Sequence, residues 1–293
     1  MYLQHFRFNE FPFGITPDTS FFMNRAGYQD ALNVLLVALR SGEGFIKVTG
    51  EVGVGKTILC RKLMNSLGAD FVTAYIHNPY IKPDSLLFAI ADELSVPHSD
   101  RMIQNTLLKL ITRSLLEKHK EGKQVVICLD EVQAMPVQTL EALRLLTNLE
   151  TEKRKLIQVV LFGQPELDAL LNQPSIRQLK QRITFIYRLL PLNRVAMHSY
   201  IRHRLEIAGC AGRTVFNKGA IDSIHRHSKG IPRLVNIICH KALISAYGEG
   251  VTRATQKHVK EAVMDMEETQ PSKYPEIKNW FPTFSKWLFG TSG

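Results

Sequence analysis

The pattern GxxxxGKT, written GEVGVGKT at residues 50–57, constrains this chain more than any other feature. It stands between a short apolar run that ends in glycine, residues 44–50, and a stretch rich in helix-forming residues, 56–67. A phosphate-binding loop requires this strand–loop–helix context, because its backbone amides surround the phosphate and the start of the helix adds a positive dipole. The alternative, a glycine-rich turn beside a lysine, needs neither flanking element. The pattern therefore predicts a nucleotide phosphate site.

Two side chains of this loop have specific expected roles. Lys56 is expected to neutralise β- and γ-phosphate oxygens, and the hydroxyl of Thr57 is expected to hold Mg²⁺. The residues predicted to bind ATP in this segment are Gly50, Glu51, Val52, Gly53, Val54, Gly55, Lys56, Thr57 and Ile58.

Two carboxylates follow an all-apolar run, VVICL at residues 125–129. Asp130 is expected at the carboxyl edge of a buried strand, beside the phosphate loop, where it can hold magnesium. Glu131 is placed to polarise water. The alternative is a capping pair at a strand end. Together with the phosphate loop, the pair is typical of a nucleoside triphosphatase that uses Mg²⁺.

Apolar runs and amphipathic segments alternate up to about Pro191, which predicts an α/β fold with a parallel sheet. The other strand candidates are residues 71–77, 125–129, 156–162 and 183–189. After Pro191, four helical segments follow with no strand between them: 195–208, 217–228, 231–247 and 255–267. The predicted domains are a nucleotide-binding domain at 1–191, a small α-helical lid at 192–268 and an aromatic amphipathic tail at 269–293.

Charge is uneven along the chain, whose formal net charge is +10. Between residues 177 and 233, twelve Lys or Arg stand against Glu206 and Asp222. Such a segment implies a polyanion, an acidic partner surface or a phosphate site. Three arginines of this segment are candidates to place positive charge near a γ-phosphate: Arg177, Arg182 and Arg233. The alternative for each of them is an exposed surface residue without this role.

Composition excludes several other classes of protein. Hydrophobic residues at 45% and charged residues at 22% are ordinary globular usage. The longest apolar run, 34–39, is far shorter than the roughly 20 residues of a membrane-spanning helix. The start, MYLQHFRFNE, has no signal-peptide pattern, and four widely spaced cysteines indicate neither a zinc site nor a disulfide framework. The expected compartment is the cytosol.

Six motifs together resemble the AAA+ ATPases of the ExeA or general-secretion A type. They are the phosphate loop, LDEVQ at 129–133, LRLLTNLE at 143–150, FGQPEL at 162–167, RQLKQRI at 177–183 and GIPRLVN at 230–236. The likeness begins with FPFGITPD at 11–18 and runs to about residue 267. It implies an AAA+ P-loop fold with a three-layer α/β domain and a helical lid, ATP hydrolysis, and self-association into a hexamer-like ring. It also implies a role in type II secretion or type IV pilus assembly, with partner proteins at the inner membrane.

The resemblance also implies roles for residues outside the phosphate loop. Gln164 is similar to the polar sensor of the γ-phosphate, and Arg233 to the sensor arginine of the lid. Asn78 resembles the polar switch that restrains the catalytic glutamate. Either Arg182 or Arg177 resembles the finger that reaches a neighbouring subunit. The segment that packs around adenine in the family is matched by Pro12 and Phe13.

Two positions depart from the family pattern, and the end of the chain differs from that of many members. Tyr28 stands where histidine is common, and Ile58 where a second threonine often follows the loop. Helical spacing in the tail predicts an apolar face, with Lys278 and Lys286 beside it. The face consists of Trp280, Phe284, Trp287 and Leu288. Either this face lies at a membrane interface, giving peripheral contact with the inner membrane, or it packs on the protein itself or on a partner.

Two further functions remain alternatives to an envelope-assembly ATPase. A DNA-binding AAA+ ATPase of the transposition-regulator or initiator type would use the basic segment for phosphates, although few residues remain after the lid for an added DNA-binding domain. A nucleotide-gated scaffold that barely hydrolyses ATP would carry the same motifs. Glu131 and the candidate finger arginines argue against the scaffold.

Overall fold

Five strands form one parallel sheet, in the order β2-β3-β4-β1-β5. The structure is a computed structural model, and it describes residues 2–16, 18–21, 27–146, 149–150, 155–210 and 212–268. The strands, numbered along the chain, are β1 (Phe45–Thr49), β2 (Phe71–Ile76), β3 (Gln124–Leu129), β4 (Ile157–Gly163) and β5 (Ile183–Arg188).

The central strands form from the apolar runs of the sequence because they are covered on both faces. Every residue of β1 and β4 is buried, whereas exposure alternates along the edge strand β5. The registers of the pairs place Phe45 beside Val159 of β4 and Ile183 of β5. All five strands therefore point the same way, and their carboxyl ends meet at one edge.

Twelve helices surround this sheet in the described part of the chain. The first six are α1 (Tyr2–Phe6), α2 (Tyr28–Arg40), α3 (Lys56–Ser66), α4 (Pro83–Glu93), α5 (Gln104–Lys120) and α6 (Val137–Leu146). The others are α7 (Glu166–Leu171), α8 (Arg177–Arg182), α9 (Arg194–Ile207), α10 (Lys218–Ser228), α11 (Pro232–Gly248) and α12 (Gln256–Glu268).

The hydrophobic core divides at the sheet. On one face, α4 to α8 pack on side chains such as Phe45 and Ile127. On the other face, α2 and α3 pack on side chains such as Ile46 and Val160, and this cluster continues into α9 to α12. The four C-terminal helices thus share apolar packing with one helical layer of the sheet.

In the described part of the chain, no strand lies between α9 and α12, as the sequence predicts for this helical region. The turn between α10 and α11 packs against Leu192, in the segment that connects β5 to α9. At Gly230, in this turn, φ is +75° and an added Cβ would lie 1.9 Å from the carbonyl oxygen of Leu192. Only glycine fits this turn without rearrangement. The domain boundary at 191/192 stays a prediction.

An N-terminal segment is held against the lid by a buried arginine. Arg204 of α9 donates through Nε to the carbonyl of Pro12 and through Nη2 to that of Gly14, 3.4 Å away. Its Nη1 lies 2.8 Å from the hydroxyl of Tyr200, and its guanidinium lies 4.4 Å from the ring centroid of Phe21. The guanidinium therefore ties residues 12–21 to the lid.

Some helices differ from what the sequence predicts. Leucines at helical spacing predict a helix over residues 137–150, but α6 ends at Leu146, and Glu150 instead forms an isolated antiparallel bridge with Lys155. The long helix α5 was not assigned from the sequence. It buries only a narrow stripe, Leu107, Ile111 and Leu115, so its apolar periodicity is weak against a polar background.

None of the described helices is long and apolar enough to cross a bilayer. The predicted tail, including its apolar face of Trp280, Phe284, Trp287 and Leu288, lies outside the described residues.

Candidate nucleotide-binding site

The phosphate loop connects β1 to α3 at the carboxyl edge of the sheet. Gly53 and Gly55 have positive φ values of 79° and 104°, a region that favours glycine. At Gly53 an added Cβ would also lie 2.7 Å from Cβ of Arg233. The glycines therefore permit both the tight turn and the close approach of the lid.

Lys56 begins α3 and turns its ammonium group back into the loop. Its Nζ donates to the carbonyls of Gly50, at 2.8 Å, and Glu51, at 3.1 Å. Burial lowers the pKa of Lys56, and the nearby carboxylates of Glu131 and Asp130 oppose that change. The ammonium group lies where the loop would hold a phosphate.

Thr57 and Asp130 come together as the sequence predicts. The Thr57 hydroxyl donates to Oδ2 of Asp130 at 2.6 Å, and Asp130 is 4% exposed. The hydroxyl of Tyr75, on β2, lies 3.4 Å from the same oxygen. A hydroxyl and a carboxylate that meet beside a phosphate loop are ligands suited to Mg²⁺, so these residues fit the predicted ion.

Glu131 follows Asp130 in the left-handed region, with φ at 53°. Its Oε2 accepts hydrogen bonds from Nε2 of Gln133, at 2.7 Å, and Nε2 of Gln164, at 2.9 Å. Burial raises the pKa of Glu131, but those two hydrogen bonds and the charge of Lys56 outweigh it, and the net pKa lies below the ordinary value. The carboxylate is thus ionised and held in place.

Gln133 is a site residue to which the sequence analysis gave no role. Besides donating to Glu131, it accepts a hydrogen bond through Oε1 from the backbone amide of Gln164, 2.9 Å away. The signal was present, since Gln133 ends the LDEVQ motif. Its role follows only from the meeting of β3 and β4 at one edge.

Tyr28 is the second residue whose contact was missed. Its hydroxyl donates to the carbonyl of Val54, and its ring lies 3.1 Å from the position of an added Cβ on Gly55. Burial raises the pKa of Tyr28 far above its ordinary value, so the phenol is neutral and able to donate. The departure from the family's histidine therefore falls on a side chain that supports the phosphate loop.

Asn78 and Phe13 lie away from these hydrogen bonds. Oδ1 of Asn78 accepts from the amide of Tyr80 at 3.1 Å, inside its own loop, while Glu131 is held by the two glutamines instead. Phe13 is 2% exposed and packs edge-on against Phe216 of the lid, with ring centroids 6.0 Å apart. The switch and adenine roles stay predictions.

Arg233 joins the lid to the phosphate loop. Its backbone amide donates to the carbonyl of Gly53 at 3.1 Å, and its side chain is exposed. A lid arginine at this position is near the phosphate loop of its own chain, as its predicted sensor role requires.

Arg177 and Arg182 lie at the opposite end of the sheet. They are the first and last residues of α8, which leads into Ile183, the register partner of Phe45. Since strands rise about 3.3 Å per residue, the length of β1 separates this end from the phosphate loop by about 15 Å. Arg182 donates through Nη1 to the carbonyl of Arg144 at 3.1 Å, whereas Arg177 is exposed.

Fold and site define the class of the protein: the chain has the AAA+ P-loop fold, which confirms the predicted fold class. Residues 39–171 match the model of a family described as AAA domain. Among solved structures, the chain is similar to the Drosophila ORC bound to DNA, with a TM-score of 0.67 and 18% identity over 91% of this chain and 66% of that one. It is also similar to Cdc6p from Pyrobaculum aerophilum, with a TM-score of 0.64 and 20% identity over 85% of this chain and 71% of that one.

A relative in sequence is General secretion pathway protein A of Aeromonas hydrophila. It is 45% identical over 250 residues, which are 85% of this chain and 46% of the relative. The chain therefore spans less than half the length of that protein. The likeness agrees with the general-secretion A resemblance of the motifs.

Proposed function

We propose that the protein hydrolyses ATP with Mg²⁺ at the site formed by Lys56, Thr57, Asp130 and Glu131. One observation carries the proposal: an ionised glutamate, held by two amide groups, stands next to the buried Asp130, which accepts a hydrogen bond from Thr57 at a phosphate loop. A site that only bound nucleotide would not need this second carboxylate in a fixed orientation.

Each residue has a distinct task in this proposal. Lys56 exchanges its two carbonyl partners for phosphate oxygens, and the loop amides hold the β-phosphate. Thr57 and Asp130 would hold Mg²⁺, which would neutralise charge on the β- and γ-phosphates. Glu131 orients water and accepts its proton. Gln164, which donates to this glutamate, would sense the γ-phosphate.

The proposal extends to an assembly. Neither Arg177 nor Arg182 reaches the phosphate loop of its own chain, because both stand at the far end of β1. An arginine finger taken from this helix would serve a neighbouring subunit. We therefore propose self-association into a ring, with one of the two arginines completing the next site.

The cellular role that best fits is an assembly ATPase of type II secretion or of a type IV pilus of the MSHA type. The 45% identity with General secretion pathway protein A supports it. The motifs also resemble those of the pilus biogenesis protein MshM, and the pilus part of the proposal rests on that resemblance. The proposed partners are inner-membrane proteins of that machine, and the proposed location is the cytoplasm, with peripheral membrane contact through the tail.

The first test is the specific ATPase rate of the wild type and of Glu131→Gln across protein concentration, with size measured by light scattering. We expect the wild-type rate to rise with concentration and the variant to bind nucleotide without turnover. Glu117→Gln, an exposed change on α5, serves as the control. Activity that survives Glu131→Gln would assign hydrolysis to something other than this site.

A DNA-binding ATPase is the second candidate, and the basic excess of residues 177–233 is the observation that favours it. Its test is binding of duplex DNA as a function of salt. An affinity that falls steeply with salt would favour this candidate, because released counterions drive binding to phosphates.

A further inference from the structure

A cleft on the lid stands apart from the phosphate loop. It lies between α9, the segment 214–218 and the start of α10, and has a volume of about 490 Å³. A second hollow of about 280 Å³ adjoins it and shares His198, Thr214, Phe216 and Ile221 with it. No residue lining either hollow belongs to the phosphate loop or to the carboxylate pair.

The floor of the cleft is apolar. Phe216 and Ile221 are 5% and 8% exposed, and they carry the hydrophobic surface at its base. At its edge Val195 is 76% exposed and adds to the apolar surface of the cleft. The cleft thus offers apolar surface that water covers in the isolated chain.

The rim of the cleft is cationic. Arg194 is paired with Asp222, and in the adjoining hollow Arg202 is paired with Glu206. By contrast, Lys218 and Arg253 form no ion pair within the described part of the chain, and both line the cleft. Two uncompensated positive charges therefore flank an apolar floor.

We propose that this cleft binds an acidic, amphipathic segment of a partner protein. Apolar side chains of the segment fill the hollow above Phe216 and Ile221, and its carboxylates meet Lys218 and Arg253. This is the groove mode in which one apolar stripe gives affinity and flanking charges give specificity.

Nucleic acid fits the cleft less well. A phosphate backbone needs cations but not an apolar floor, and single-stranded binding uses exposed aromatic rings on which bases stack. The aromatic residue that lines the cleft, Phe216, is buried and already packs on Phe13. The combination of apolar floor and cationic rim therefore selects a protein segment.

The test uses a fluorescent synthetic peptide of glutamates with leucines at every third or fourth position, measured by anisotropy without nucleotide. We expect the double variant Lys218→Glu/Arg253→Glu to lower its affinity about tenfold or more, because like charges then face each other. Lys260→Glu, an exposed change on α12, should leave it unchanged. All variants should keep the wild-type circular dichroism spectrum and thermal midpoint.

Two further probes separate the contribution of the apolar floor to peptide binding from that of the cationic rim. The same peptide with glutamines in place of leucines should bind at least several-fold more weakly, and a single-stranded oligonucleotide of equal charge should not displace the original peptide. Equal binding of both peptides, an equal loss in Lys260→Glu, or displacement by the oligonucleotide would each overturn the proposal. Because no step needs ATP turnover, this result is independent of the proposed hydrolysis.

Discussion

Tyr28 shows how one side chain can set the shape of the phosphate loop. Tyr28→Phe keeps the ring beside Gly55 but removes the hydrogen bond to the carbonyl of Val54. Since such a bond contributes about 1 kcal/mol, we expect nucleotide affinity to fall about fivefold. Calorimetric titration with ADP measures it. Tyr80→Phe, the same change on a tyrosine that is 76% exposed, is the control, and equal affinities in all three proteins would refute the role.

The pH dependence of turnover reports on Glu131. Its pKa is lowered, so the base stays ionised as pH falls to about 5, where even an ordinary glutamate of pKa about 4.3 is mostly ionised. Gln164→Leu removes one donor to the carboxylate while burial, which raises the pKa, remains. We therefore expect the acidic midpoint of the turnover rate to move toward neutral pH in this variant.

The position of that midpoint, rather than the maximal rate, is the measurement, because the substitution also removes a group near the γ-phosphate. Gln256→Leu, an exposed change at the start of α12, controls for the loss of an amide elsewhere. A midpoint that stays in place, or moves to lower pH, would show that the Gln164 hydrogen bond does not hold the base in its ionised form.

At the scale of elements, Arg204 links helix α9 to the N-terminal segment. Arg204→Ala would leave the carbonyl of Pro12 without its buried donor and that of Gly14 with only Nδ2 of Asn236. It would also remove the cation from the ring of Phe21. We expect a loss of about 2–4 kcal/mol in the free energy of unfolding, measured in urea. Arg202→Ala, two residues away and exposed, should cost less than about 0.5 kcal/mol. Equal costs would contradict the link.

The turn between α10 and α11, which packs against the segment connecting β5 to α9, depends on one glycine. Gly230→Ala places a Cβ 1.9 Å from the carbonyl oxygen of Leu192 in a backbone conformation with φ at +75°. We expect a cost of at least about 3 kcal/mol, or a failure to fold. Gly250→Ala has a similar φ of +71° but nothing near its Cβ, so it should cost about 1–2 kcal/mol. A similar cost for both substitutions would mean that the turn at Gly230 can rearrange to accommodate the added Cβ.

The elements that the sequence predicted are those whose cause is local. The phosphate loop, the apolar strands and the helices of the lid follow from patterns within a few turns of chain. Three contacts that the sequence did not predict join residues far apart along the chain: Tyr28 reaches Val54, Gln164 reaches back to Gln133, and Arg204 binds Pro12, 192 residues away. Such contacts depend on how elements meet, which periodicity does not encode.

At the scale of the whole molecule, the fold determines at which end of the sheet each basic side chain lies. Arg233 stands beside the phosphate loop, while Arg177 and Arg182 stand beyond the other end of β1. All three arginines belong to one basic segment of the sequence, yet they lie at opposite ends of the sheet. The basic residues of this segment are therefore distributed over at least two surfaces, and the net charge of the segment alone does not identify a partner.

Mixing two inactive proteins tests whether one arginine works on the neighbouring subunit. Glu131→Gln keeps both arginines but has no base, and Arg177→Ala or Arg182→Ala keeps the base but lacks one arginine. If the missing arginine acts across the interface, mixed assemblies contain sites with a base from one chain and a finger from the next. We then expect ATPase activity to appear on mixing, although each protein alone is inactive.

The arginine whose variant is inactive alone and rescued in the mixture is the finger. Lys180→Ala, which removes an exposed charge from the same helix, should be active by itself. If the arginine instead acted within its own chain, no mixed site would be complete and activity would stay absent at every mixing ratio. That result would contradict the position of α8 at the far end of β1 from the phosphate loop, because the sheet separates the two by about 15 Å.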